Sequence, residues 1–373
     1  MNIVCIATSR VPSNTAYSIQ VMKACHALRL AGHRVTLLLP GDASAPWEEL
    51  AGPYGLEQPF EIEWLPVNPR LKRYDFAWKA VRRAQALGSD CIYSWLVQAA
   101  LLAVQRHIPT VFEQHDRPTG KIGPWLFRRF MRAEGKKRLV CITRALQTVV
   151  EDENGLRFDP HEVVIAPNGV DLEHYAGLPS PEEARRQLGL PEGLTAGYTG
   201  HFYAGRGMEV LVTLAQCNPA VNFLWVGGRA ADAQAWREKI AQMGLRNVTM
   251  TGFVEQARVP LYQAAADVLL MPYEHAIAGS SGGNSADICS PMKMFDYMAA
   301  GRAILTSDLP VIREVLNEQT AVFCPPEDAG AWQMALAELL EDDSRRSALA
   351  ARAKAAAARY GWQARAEHIL EGF

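Results

Sequence analysis

Two short stretches place cations where they could hold an anion. In S-P-M-K-M-F-D-Y (residues 290–297), a serine and a proline precede an apolar-periodic run, and Lys293 and Asp296 lie three residues apart. Ser290 suits the N-cap, Pro291 the first helical position, and Gly301 the left-handed residue that ends a helix. Backbone N–H groups and the positive dipole end at such a terminus attract phosphate, a preference that Lys293 would strengthen. Asp296, one turn on, could accept hydrogen bonds from ribose hydroxyls. The same spacing also makes an ordinary i,i+3 surface pair worth about 0.2–0.5 kcal/mol, and the helix alone does not choose between the two. In G-H-F-Y-A-G-R-G (residues 200–207), Gly200 opens a turn that carries His201 and Arg206. Arg206 could grip a phosphate through two N–H groups, or simply be solvated.

These residues need elements to hold them. Pro291, Met294, Phe295 and Met298 follow the i, i+3, i+4, i+7 spacing of a packed stripe, so Lys293, Asp296, Tyr297 and Ala300 are expected on another face. The glycine- and serine-rich run 278–289 ahead of the helix reads as a loose loop. Short, nearly all-apolar runs (NIVCIA, RVTLLLP, EIEWLPV, DCIYSW, TVFEQH, RLVCIT, EVVIAPN) recur in the first half, with helix-length stretches between several of them. That alternation predicts a parallel sheet covered on both faces. After a proline- and glycine-rich passage the pattern restarts with TAGYTGHF, FLWVGG, VTMTGF, DVLLMPYE, RAILTSD and AVFCPP. The expected fold is therefore α/β with two doubly wound, Rossmann-like domains, residues 1–172 and 193–356, joined by a linker at 173–192. Ligands of such sheets gather at the carboxyl ends of the strands, where both cation-bearing stretches fall.

A chain of 373 residues with 49% hydrophobic and 21% charged residues has apolar material for two cores and no signature of disorder. Seven scattered cysteines form no C-x-x-C, which argues against a zinc knuckle or a disulfide framework and for a cytoplasmic setting. No run approaches the ~18 apolar residues of a membrane span. The net charge of −2 conceals basic stretches at 70–83 and 127–138. In G-P-W-L-F-R-R-F-M-R-A-E-G-K-K-R, residues 125–138 could form a basic amphipathic helix against an anionic membrane at the inner face, or a half-buried helix with a solvated cationic side. No nucleic-acid partner is expected.

The order and spacing of VVIAPNGVDLEHY, ADVLLMPY, LAGHRVTLL and SPMKMFDYMAAGRAILTSDLPVIREVL resemble glycosyltransferase family 4, of GT-B fold, over nearly the whole chain. The resemblance implies a retaining enzyme that moves a hexose-type sugar from a nucleotide-diphosphate sugar to a glycan or lipid-linked saccharide. It gives Arg206 and Lys293 the donor diphosphate, Asp296 the ribose, and Gly200, His201, Ser290, Pro291 and Asn168 further donor contacts. His115, at the end of TVFEQH, corresponds to a histidine beside the transferred sugar; alternatively it orients its loop through Asp116. A helix near 357–373 is expected to pack back on the first domain. No metal or other cofactor is expected, since no D-x-D triplet occurs. Three departures stand out. Ile288 occupies the place of the family's first acid, leaving sugar contacts partly to backbone N–H groups of residues 288–290 or to groups elsewhere. His201 replaces an arginine. S-R-V-P-S-N-T replaces a Gly-Gly loop, with Ser13, Asn14 and Thr15 as its polar groups. A nucleotide-sugar epimerase would need cleft carboxylates and a nicotinamide-dependent oxidoreductase would need G-x-G-x-x-G; a catalytically weak or non-catalytic sugar-binding protein is the remaining alternative.

Overall fold

The computed structural model describes residues 1–42, 44–71, 73–277 and 284–373, so the first half of the glycine- and serine-rich loop lies outside the described residues. The chain divides into two compact units, Met1–Asn168 with Trp362–Phe373, and Gly169–Gly361.

Unit 1 is a seven-stranded sheet of β1 (Asn2–Ile6), β2 (Arg34–Pro40), β3 (Glu61–Leu65), β4 (Cys91–Ser94), β5 (Thr110–Gln114), β6 (Lys137–Cys141) and β7 (Val163–Ile165). The strands are all parallel, in the order β3-β2-β1-β4-β5-β6-β7. Helices cover both faces, so Ile3, Val4, Cys5 and Ile6 of the central strand are all fully buried. The helix Trp362–Leu370 packs against the helix Ala16–Leu30, returning a distant segment to this unit.

Unit 2 repeats the plan with β8 (Thr195–Gly200), β9 (Asn222–Gly227), β10 (Val248–Gly252), β11 (Val268–Met271), β12 (Ala303–Ser307) and β13 (Val322–Cys324). Its parallel order is β10-β9-β8-β11-β12-β13. Tyr198, Phe223, Trp225 and Trp332 fill its core without exposure. In each sheet the chain order reverses once, at β1/β4 and at β8/β11, and loops diverge there to leave room for a ligand.

Four local expectations change. The expected linker, residues 173–192, contains a helix of its own. Ser180 caps a helix over Pro181–Leu188, and Arg185 anchors it to unit 2 by donating to the Ala265 carbonyl (2.9 Å) and to Asp267 (3.1 Å). The last helix begins at Trp362, after a 3-10 turn at Ala358–Tyr360, rather than near 357. The basic stretch is helical only over Gly123–Met131, because the apolar run that follows draws Lys137–Cys141 into the sheet as β6. Arg138 is consequently buried and donates to the carbonyls of Ile369 (2.6 Å) and Glu371 (2.8 Å), so it is not part of a membrane-facing side. Finally, the helix after the loop starts at Met292. Pro291, with φ −68° and ψ 118°, is its N-cap, and no side chain caps it.

Candidate functional site

Proline at the N-cap of Met292–Ala300 has a chemical consequence. Ser290 is displaced from the capping position and lies buried beside it. Tyr297 and Ala300, expected on the polar face, are buried together with Met294, Phe295 and Met298. Only Lys293 and Asp296 remain partly exposed from that face. The stripe is wider than expected because Tyr297 reaches under β8, accepting from the Thr199 amide (2.8 Å) and donating to the Leu270 carbonyl (3.3 Å).

Lys293 does not make a surface pair. Its Nζ is buried and has no hydrogen-bond partner among the described residues. It lies 3.8 Å from the centre of the Tyr198 ring and 5.4 Å from that of Tyr273. Gly200, at φ +139°, allows this approach, since a Cβ there would stand 2.6 Å from Nζ. Burial, and next the charge of Arg206, push the Lys293 ammonium well below its ordinary pKa, against the opposing pull of Asp296.

Arg206 approaches the same aromatic wall from the loop after β8. Its guanidinium sits 4.7 Å from the Tyr273 ring and 4.9 Å from Tyr203, and it donates to the Tyr203 hydroxyl (2.7 Å), while its Nε is buried without a partner among the described residues. Glu274 fixes this loop by accepting from the amides of Gly205 (3.2 Å) and Gly207 (3.1 Å). Gly207 is required by close approach as well as by φ +71°, because a Cβ would lie 1.8 Å from the Pro272 carbonyl oxygen. His201 stacks on Tyr203 at 5.4 Å, and burial, then Arg206 and Lys293, lower its pKa. Burial likewise keeps the phenol of Tyr273 protonated, with its pKa pushed up to about 12. Two cations thus share one ring of tyrosines in place of a counter-carboxylate.

The other candidates divide. Asp296 lies near Tyr175, whose pKa burial and then the Asp296 charge raise, while the Tyr175 hydroxyl donates to Gln263 (2.9 Å). Ile288 is fully buried, and the amides of Ile288 and Cys289 both donate to the Ser285 carbonyl (3.2 and 2.9 Å). Those two N–H groups are therefore engaged within their own turn and do not meet the expectation that they face a sugar. Asn168 closes the first stretch of unit 1 and is buried. Among the described residues, no three His, Cys, Asp or Glu side chains gather into a metal-binding group.

In unit 1 the loop after β1 is tied down locally. Thr15 caps the Ala16–Leu30 helix, Ser13 bonds its hydroxyl to that of Thr15 (3.0 Å) and its amide to the Tyr54 hydroxyl (2.7 Å), and Asn14 is exposed. His115 leaves the carboxyl end of β5 with its Nε2 2.6 Å from Glu113. The Asp116 carboxylate accepts from the Arg117 amide (2.7 Å). Glu113 is almost wholly buried and receives Gln20 (2.6 Å), the Tyr93 hydroxyl and Arg365 (2.7 Å) as well. Burial would raise its pKa, but the Arg365 charge and the hydrogen bonds from His115 and Arg365 outweigh it and hold the carboxyl well below the usual range. Sequence reading missed Tyr198, Tyr203, Tyr273, Glu274, Glu113 as the holder of His115, and Arg365. Tyr203, three residues before Arg206, Tyr198, two before Gly200, and Glu113, two before His115, stood close enough in sequence to be noticed.

Residues 194–342 match the family model described as glycosyl transferases group 1, and residues 18–174 match that of glycosyltransferase family 4. The D-inositol 3-phosphate glycosyltransferase of Xylanimonas cellulosilytica is 30% identical over 321 residues, covering 78% of this chain and 74% of that protein. The phosphatidyl-myo-inositol mannosyltransferase of Mycolicibacterium smegmatis is 27% identical over 367 residues, covering 94% of this chain and 87% of that one. Among solved structures, HepE of Anabaena in complex with UDP has the same fold, with a TM-score of 0.75 at 19% identity over 100% of this chain and 99% of that one.

Proposed function

This chain belongs to the family 4 glycosyltransferases, and on that premise we propose that it transfers a hexose-type sugar, with retention, from a nucleoside-diphosphate donor to a glycan or lipid-linked acceptor. The observation that carries this reading is the pair of cations, Lys293 and Arg206, set against tyrosine rings with Nζ and Nε buried and unpartnered among the described residues. Two like charges so placed repel one another and have lost water, and a diphosphate repays both costs. The helix N-terminus at Met292, one residue before Lys293, adds the positive end of its backbone dipoles.

In the transfer, the bond from the anomeric carbon to the donor phosphate oxygen breaks and a bond to the acceptor oxygen forms on the same face. The acceptor proton passes to the departing phosphate. Negative charge grows on the diphosphate as it leaves, and fixed cations stabilise that charge without reorganising. Arg206 and Lys293 take the part that a metal plays elsewhere. Asp296 is assigned to the ribose hydroxyls and His115 to a hydroxyl of the transferred sugar. The UDP in HepE and the phosphatidylinositol in the mannosyltransferase's name support a nucleotide donor and a lipid-linked acceptor.

A panel of nucleotide sugars, with glycan and membrane-lipid acceptors, tests this by the release of nucleoside diphosphate and by the configuration of the product. Release that depends on acceptor and disappears in Lys293→Ala and Arg206→Ala is expected. Unaltered turnover in both variants, or an inverted product, would overturn the proposal.

A further inference from the structure

Glu113 is surrounded by donors that the transfer reaction does not itself require. Gln20 Nε2 (2.6 Å), Arg365 Nη2 (2.7 Å), Arg365 Nη1 (3.3 Å) and the Tyr93 hydroxyl all reach its two oxygens, and its side chain has no exposure. Arg365 is anchored in turn, donating to the carbonyls of Pro167 (2.7 Å) and Ala166 (3.0 Å). One bond of Glu113 leads outward, to Nε2 of His115, whose side chain keeps 24% of its surface exposed.

We infer that Glu113 and Arg365 are positioning residues that lock His115 as the Nε2–H tautomer, so that Nδ1 meets substrate as a hydrogen-bond acceptor selective for a hydroxyl. Glu113 is a carboxylate that can only accept, so the His115 nitrogen facing it, Nε2, is the one that carries a proton. The tautomer of a histidine is set by the bond its other nitrogen makes, and here that bond is buried and braced from three further side chains. An Nδ1 lone pair accepts from a sugar hydroxyl and repels a carboxylate or phosphate in the same place, so Glu113 and Arg365 would contribute to sugar specificity through His115. The identity of the hydroxyl rests on the sugar-transfer reading; the tautomer does not.

The test is the ¹⁵N spectrum of histidine-labelled protein at mildly alkaline pH, with the His115 signals assigned by His115→Gln. Wild type is expected to show Nε2 protonated and Nδ1 bare. Glu113→Leu combined with Arg365→Met removes the buried charges together, which spares the fold an unpaired ion. In that variant His115 should lose its single tautomer, while Glu113→Gln with Arg365→Met should restore it, since the amide oxygen still accepts from Nε2. A near-UV circular dichroism spectrum and a cooperative melt like those of wild type certify that unit 1 folds in both variants, and UDP binding, which reports on unit 2, should stay within about twofold of wild type. On a nucleotide sugar that supports wild-type turnover, kcat should fall about tenfold in the Leu/Met variant, the scale of one oriented hydrogen bond, and recover in the Gln/Met variant. A wild-type His115 protonated at Nδ1, or an unchanged tautomer in the Leu/Met variant, would overturn the inference.

Discussion

At Lys293, burial and charge oppose one another, and the conflict yields two predictions. Replacing Lys293 or Arg206 by alanine removes a fixed cation from the leaving-group site and should reduce turnover about 10²–10³-fold, read as nucleoside diphosphate release. The free protein holds the Lys293 pKa below its ordinary value through burial and then Arg206, and a bound diphosphate should raise it again. Binding UDP should therefore take up protons, and affinity should fall as pH rises from the free-state to the bound-state pKa; calorimetry in buffers of different ionisation enthalpy measures this. The same linkage acts on stability. Between the depressed native pKa and the ordinary one, the unfolded chain binds more protons, so Lys293 destabilises the free fold at neutral pH and the penalty lifts as pH rises through that window. Lys293→Met should accordingly melt about 2–4 °C higher per kcal/mol recovered, yet gain nothing from UDP. The types of Lys293 and Arg206 were legible from sequence because helix-start residues and a glycine turn mark their positions. Their tyrosine surroundings were not, since Tyr273 lies far from Arg206 along the chain and only the sheet brings them together.

Among the elements, the loop from Gly200 to Gly207 matters most, because it is shaped by groups outside itself. Glu274→Ala should leave the amides of Gly205 and Gly207 without their acceptor, at a cost of about 1–3 kcal/mol, and weaken UDP binding about tenfold, with partial recovery in Glu274→Gln. Gly207→Ala would drive a methyl into the Pro272 carbonyl and should abolish binding outright; titration of each variant with UDP checks both. The alternation of strands and helices was readable because parallel strands must be apolar throughout. Helix limits were less so. Serine followed by proline signals an N-cap equally well one residue earlier, and the difference decides whether a hydroxyl or a ligand meets the helix end. The basic stretch misled for a related reason, as its cationic residues continue into β6 without any break in composition.

For the molecule as a whole, the surface of unit 1 bears on where the enzyme works. Among the described residues no helix is long and apolar enough to cross a membrane. Leu71, Tyr74, Trp78, Ile122 and Trp125 are nonetheless 44–54% exposed, with Arg82 stacked on Trp78 and Arg129 on Trp125. The helices Tyr74–Ala86 and Gly123–Met131 both pack on the helix Val97–Val104, so these aromatic and cationic residues share one layer. The expected outcome is co-sedimentation with phosphatidylglycerol vesicles but not with phosphatidylcholine, weakened by salt and by Trp78→Ala with Trp125→Ala. Equal sedimentation with both lipids would remove the anionic surface as the partner. The return of Trp362–Phe373 to unit 1 also sets a timetable for synthesis. As the chain is made, Glu113 is translated long before Arg365, with all of Gly169–Gly361 in between. Until the final helix docks, the nascent first unit must bury a carboxylate without its cation or leave that part of its interior open. The unit that begins synthesis first is thus the one that must wait to finish folding.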